Sequence, residues 1–227
     1  MKLLPPPLFK YTKRIHALSL VNQGKVRIGT LHDFQKIEQY APMIGDKAEG
    51  EKRRYDNPVF ASAGGLSRFA RPIADSVFAN LPTDPAERFL FLQCSFEKID
   101  RSPNRRLYST STRLGASTMH AMDPAYDTCV RIDYVFAFFH AIEQELIRLN
   151  LATHGLIRPV RYRERTQHYL KDDGFDPVRL KPLSHVDQHE VRFIFFPAKE
   201  ITEGHRILTI PKLRDFCEIE PRVDSIK

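Results

Sequence analysis

An α+β fold is what this chain predicts, as a single domain over residues 1–227 built on a mixed or antiparallel sheet with flanking helices. Short strand-like runs alternate irregularly with helix-like ones, so a regular βαβ winding is disfavoured, and no repeat period is visible. A length of 227 residues with 42% hydrophobic content is enough to bury a core without help from metals or disulfides.

The first elements follow from local signals. Leu8-Phe9-Lys10-Tyr11 reads as a strand, and Thr12 as the N-cap of a helix to about Gln23, with Ile15, Leu18 and Val21 on its apolar face. Gly24 stands where a left-handed C-cap belongs. Val26-Arg27-Ile28 alternates as a strand, and a second helix follows from Leu31 to Tyr40, with Leu31, Phe34 and Ile37 at spacings of three. Residues 41–57 turn polar around Gly45, Gly50 and Glu51-Lys52-Arg53-Arg54, which predicts a long surface loop of the kind that forms lids or binding segments.

Residues 89–96 read as one buried strand, 100–112 as a polar, Arg-rich stretch, and 128–132 as a short β-branched strand. The clearest helix spans 134–150, capped by Asp133, with Val135, Phe138, Phe139, Ile142, Leu146 and Leu149 as its apolar stripe. Residues 157–162 alternate apolar and basic, 191–196 give the strongest strand signal, and a strand near 206–210 precedes a short helix after Pro211.

Thirty-five Lys and Arg against 28 Asp and Glu leave a formal charge of +7, which favours anionic partners. Cys94, Cys129 and Cys217 are widely spaced and odd in number, implying a reducing compartment, the cytoplasm. Pro5, Pro6 and Pro7 interrupt any signal-peptide core, and no apolar run approaches the roughly 18 residues that span a bilayer, so no membrane partner is expected.

No Gly-x-Gly-x-x-Gly, Gly-Lys-Ser/Thr, Gly-x-Ser-x-Gly or His-Glu-x-x-His motif occurs. His185 and His189 have a four-residue spacing that would bring two imidazoles to one helical face. They follow Lys181-Pro182 and lead into a strand, so they read as polar loop histidines and no metal is expected. Glu190 is an acid at the start of the most apolar strand, where burial requires a cleft or a cation such as Arg192. Spacing alone leaves both a catalytic carboxylate and a structural ion pair open. The Arg-rich segments 101–113 and 158–165, with Tyr108 and Tyr162 for base stacking, read as a phosphate-contacting surface or as solvated charge.

Taken in order, several segments resemble a widespread bacterial family of unassigned function. They are Phe9-Lys10-Tyr11-Thr12, the helix to Gln23, Gly24, the strand 26–28, Ser95-Phe96, Cys129-Val130-Arg131-Ile132-Asp133, Val160-Arg161-Tyr162, Lys181-Pro182 and Glu190-Val191-Arg192. The chain departs from that pattern in carrying His32-Asp33-Phe34 where the family has Asn-Asp-Pro, and in having no Trp. The layout also resembles the ADP-ribosyltransferase fold.

That second resemblance implies NAD as a substrate, with Tyr11 and Thr12 at the first motif, Lys10 and Arg27 near the phosphates, Tyr40 or Tyr55 stacking on nicotinamide, and Glu190 as the catalytic residue. The first motif's histidine is missing. Ser109-Thr110-Ser111 and Glu218-Ile219-Glu220 match a further pattern of that fold, but such triplets arise by chance. The implied function is NAD-dependent ADP-ribosyl transfer in a bacterial defence or toxin system, to a nucleic-acid or protein acceptor. The alternative is a non-catalytic nucleic-acid-binding or protein-interaction domain of a defence system.

Overall fold

The computed structural model describes residues 6–40, 48–58, 60–62, 65–77, 90–92, 94–172 and 174–221. In chain order the elements are β1 (Leu8–Thr12), α1 (Arg14–Gln23), β2 (Lys25–Thr30), α2 (Leu31–Tyr40), β3 (Glu51–Asp56), β4 (Phe60–Ser62), α3 (Ala70–Val77), β5 (Leu90–Leu92), β6 (Phe96–Arg101), β7 (Arg106–Ser111), α4 (Ala116–Met122), β8 (Thr128–Ile132), α5 (Val135–Arg148), β9 (His154–Pro159), β10 (Arg161–Tyr162), β11 (Thr166–His168), β12 (Leu180–Lys181), β13 (Glu190–Phe196), β14 (Arg206–Thr209) and β15 (Cys217–Ile219). The fold is α+β. The chain divides into two compact units, the larger from residues 1–49, 103–163 and 181–227, the smaller from 50–102 and 164–180.

The larger unit is an antiparallel eight-stranded sheet in the order β14-β2-β7-β1-β8-β15, with β13 on β7 and β9 on β13. Its main core joins Val26, Ile28, Val130, Ile132, Phe193 and Phe195 of the sheet to Ala17 and Leu20 of α1 and Phe138, Ile142 and Leu146 of α5. Burial of each large apolar side chain contributes about 1.5–3 kcal/mol. Of the expected stripe, α5 buries Val135, Phe138, Ile142 and Leu146 and half-buries Phe139, whereas Leu149, past the end of the helix, is exposed. Its N-cap is Tyr134 rather than Asp133, whose carboxylate instead accepts from Arg131 Nε at 3.0 Å.

α1 has a different phase from the one expected. Thr12 stays in the ladder opposite Thr128, so the helix begins after Lys13, and Ala17 and Leu20 are buried while Ile15 and Leu18 are exposed. Gly24 does take the left-handed cap, at φ 66°, and a Cβ there would lie 2.1 Å from the Ile210 carbonyl oxygen.

Three other expectations are corrected. The polar stretch 100–112 contains β7, a central strand in which two buried hydroxyls find acceptors on neighbouring backbone: Thr110 Oγ1 donates to Val191 O at 3.0 Å and Ser111 Oγ to Gln188 O at 2.8 Å. Residues 89–96 are not one strand, because β5 pairs with β4 whereas β6 pairs with β3. The loop expected over 41–57 holds β3 in its second half, where charged side chains pair across strands, Arg101 Nε with Glu51 Oε1 at 2.8 Å and Arg54 Nε with Asp100 Oδ2 at 2.6 Å. Residues 41–47 lie outside the described residues.

In the smaller unit, β3 pairs parallel with β11 and antiparallel with β6, and α3 packs Ala70 and Ala74 against Phe96. Neither α3 nor α4 carries a periodic signal long enough to have been read from sequence. Among the described residues, no helix is long and apolar enough to cross a membrane.

Candidate functional site

The sheet of the larger unit forks at β7. One edge of β7 pairs with β13 along its whole length, Arg106 opposite Phe195 through Ser111 opposite Glu190. The other edge is shared: β2 pairs only at Leu107 and Arg106, and β1 only at Ser111. Between these points β1 and β2 diverge, and the exposed backbone must find another partner. Lys10 Nζ supplies one, donating to Ser109 O at 2.9 Å while lying 4.8 Å from the Tyr108 ring centroid.

A cavity of about 500 Å3 opens at this fork. Lys10 and Thr12 of β1, Arg27 of β2, Ser109 of β7, and Lys181 and Glu190 are on its wall. Of the residues expected from sequence, the fold thus brings Lys10, Thr12, Arg27 and Glu190 together. Arg27 is exposed, whereas Glu190 is only 3% exposed.

Glu190 belongs to a buried four-charge network. Its Oε1 accepts from Arg192 Nε at 2.7 Å and its Oε2 pairs with Lys181 Nζ at 2.8 Å, while Arg192 Nη1 reaches Glu49 Oε1 at 2.5 Å. Burial alone would raise the Glu190 carboxyl, but the Arg192 and Lys181 charges outweigh it and hold the group below the usual carboxylate range. The backbone fixes the group further: Glu190 N–H donates to Tyr162 Oη at 2.7 Å, and Val160 N–H to Glu190 O at 3.0 Å. Glu190 is therefore both an ion-pair partner and part of the cavity wall.

Lys10 is perturbed in the opposite sense. Burial lowers its pKa from 10.5 to about 8; Glu190 pulls it up and Arg27 pushes it down. Its ammonium is a cation whose charge can be lost within the ordinary pH range.

The remaining expected residues lie elsewhere. Tyr11 faces the second core, with Phe9, Met119 and Cys129, and its hydroxyl donates to Arg113 O at 2.8 Å and accepts from Gly115 N–H at 2.9 Å. Neighbours on a strand face opposite ways, so Tyr11 cannot share the orientation of Lys10 and Thr12. Tyr55 is in the smaller unit, edge-on to His168 at 5.6 Å. Tyr40 ends α2, and its side chain lies outside the described residues.

The stacking surface is also corrected. Tyr108 is buried against Phe138 and Phe193, Arg106 is 3% exposed, and the Tyr162 hydroxyl is engaged by β13. Glu218 and Glu220 pair with Arg131 at the β15 edge. His189 sits at φ 44°, closing the turn over Leu183–Gln188, with its Nε2 3.2 Å from Arg113 Nη1. Among the described residues no group of three or more His, Cys, Asp or Glu could hold a metal.

Sequence reasoning missed Lys181 and Tyr162 as partners of Glu190, and Glu49 as the second partner of Arg192. Lys181-Pro182 and Val160-Arg161-Tyr162 stand in the family-like pattern and could have been paired with Glu190, but Glu49 follows a polar stretch without periodicity. Comparison with protein-family models, with curated proteins and with solved structures finds no match.

Proposed function

We propose that the cavity at the sheet fork holds NAD and that the protein is an ADP-ribosyltransferase-like enzyme of a bacterial defence or toxin system. The observation that carries this reading is the convergence on one cavity of Lys10, Thr12 and Arg27, from the first two strands, with Glu190, about 160 to 180 residues further along the chain. Cleavage of the bond from ribose to nicotinamide builds positive charge on the sugar, and an ionised carboxylate held in a site screened from water stabilises that charge.

Glu190 has the capacity for such a role. A carboxylate offers about four lone-pair positions. Arg192 Nε and Nη2 and Lys181 Nζ occupy three, which leaves one for a ribose hydroxyl. Lys10 and Arg27 supply cations for the diphosphate.

A second reading is a non-catalytic module that binds nucleic acid or protein. It is favoured by one observation: Arg192 and Lys181 already compensate the Glu190 charge, which weakens its field at a ligand. Nicotinamide release separates the two. The enzyme reading expects Glu190→Gln to abolish turnover in folded protein, and Arg27→Ala to raise KM with little change in kcat. Unchanged turnover in folded Glu190→Gln protein would refute the role of Glu190. Binding to nucleic acid that weakens steeply with salt, without turnover, would establish the second reading.

A further inference from the structure

The smaller unit carries its own cavity, of about 480 Å3, independent of the cleft just described. Its volume is within the roughly 300–1,000 Å3 typical of small-molecule sites. The charged side chains on its wall are all cations: Arg54 from β3, Lys98 from β6, and Arg68 from the turn before α3. Arg54 is fixed in place by Asp100, at 2.6 and 2.9 Å, and by Asp172 at 3.3 Å. Arg68 and Lys98 differ, being exposed and without a carboxylate partner among the described residues.

The same wall has a flat apolar component. The Phe69 ring stacks on Tyr169 with centroids 5.3 Å apart and planes 8° from parallel, and the Arg54 guanidinium lies 5.5 Å from the Phe69 centroid. Pro72 and Ile73 of α3 extend this surface. The rings are preset, because Tyr169 begins a 3-10 turn whose preceding residue, His168, is held in β11 beside β3.

We infer that this cavity is a binding site for a nucleoside phosphate. Its aromatic and aliphatic surface accepts the base, and Arg68 and Lys98, uncompensated at the rim, accept the phosphate. Inorganic anions would satisfy the cations but leave the apolar wall uncovered, and an uncharged aromatic would leave the cations unused. A free mononucleotide and a nucleotide within a single strand present the same chemistry, and sequence-tolerant stacking beside cations is how single strands are held.

The test uses the full chain and two probes, AMP and a fluorescent oligothymidylate, with inorganic phosphate as competitor. Arg68→Ala/Lys98→Ala removes only exposed, unpaired side chains and is expected to leave the melting temperature unchanged. It should weaken nucleotide binding about tenfold or more. For the oligonucleotide, loss of two phosphate contacts should reduce the slope of log K against log salt by about 1.4. Phe69→Leu should weaken AMP while leaving phosphate competition unaltered. AMP binding identifies a free nucleotide as sufficient, and binding of the oligonucleotide alone identifies the strand as the source. The inference is overturned if neither probe binds, if the double variant binds as the wild type does, or if binding is lost with Arg27→Ala instead, which would place the nucleotide in the other unit.

Discussion

Glu190→Gln removes one charge from a balanced buried network while preserving side-chain volume. In the wild type, Glu49 and Glu190 offset Lys181 and Arg192, all four nearly or fully inaccessible to solvent. After the substitution one positive charge is uncompensated. Breaking a buried pair from one side costs about 3–5 kcal/mol. Arg192 keeps Glu49 at 2.5 Å and Lys181 keeps Gln188 Oε1 at 2.8 Å, so the lower end, about 3 kcal/mol, is expected at neutral pH. The Glu190 carboxyl titrates lower in the folded protein than its ordinary value of about 4.3. Its contribution is therefore present above that value and lost as pH falls toward the folded one. The difference between wild type and variant should be full at pH 7 and shrink below about pH 4. Urea unfolding followed by circular dichroism at both ends of that range measures it. A loss under about 1 kcal/mol at pH 7, or a difference that stays constant into acid, would refute the network's assigned energetics.

Lys10→Met should alter the alkaline limb. Lys10 titrates near 8 when folded and at 10.5 when unfolded, so the unfolded chain binds more protons between those values and the wild type gains stability there as pH rises. The buried Cys129 and Cys217 thiols, pushed by burial up to about 12, act oppositely and cancel in the comparison, so the wild-type-minus-variant difference isolates Lys10. Gly24→Ala should lower stability by about 2–4 kcal/mol in thermal or urea unfolding, combining left-handed strain with a clash against Ile210 O. Tyr11→Phe should cost about 1–3 kcal/mol in urea unfolding by orphaning the Arg113 carbonyl and Gly115 N–H, and should not alter the nicotinamide release proposed for the fork cavity, because Tyr11 faces the second core.

The elements legible in the sequence were those whose apolar residues repeat with a clean period. α5 shows a broad stripe, and β13 a run of apolar residues interrupted only by Arg192 after Glu190, and both stand where the pattern puts them. β7 was illegible because a central strand there buries the polar residues Arg106, Thr110 and Ser111, and the acceptors for the Thr110 and Ser111 hydroxyls, Val191 O and Gln188 O, are distant in sequence. β3 was hidden for a related reason: its charges are matched across to β6, a pairing that no local window contains. α1 was found but wrongly phased, since Thr12 has a stronger ladder role opposite Thr128 than the capping role its type suggests.

The candidate site was legible at single residues and not as an arrangement. Glu190 and Arg192 draw attention as charges in an apolar strand, and Lys10, Thr12 and Arg27 sit in the first two strands. That they share a cavity depends on β1 and β2 dividing one edge of β7, a register fact set by pairings far apart in sequence, Phe9 with Ser111 and Gly29 with Leu107. Tyr11 was misassigned because alternation along β1 turns it from its neighbours.

The proposed function stands or falls on whether the cavity at the fork binds and cleaves NAD. Nicotinamide release by the purified wild-type chain, with total cellular nucleic acid and protein supplied as acceptors, tests it most directly. Nicotinamide is expected to accumulate in step with NAD loss and to fall to background in folded Glu190→Gln protein. No nicotinamide release with any acceptor would contradict it.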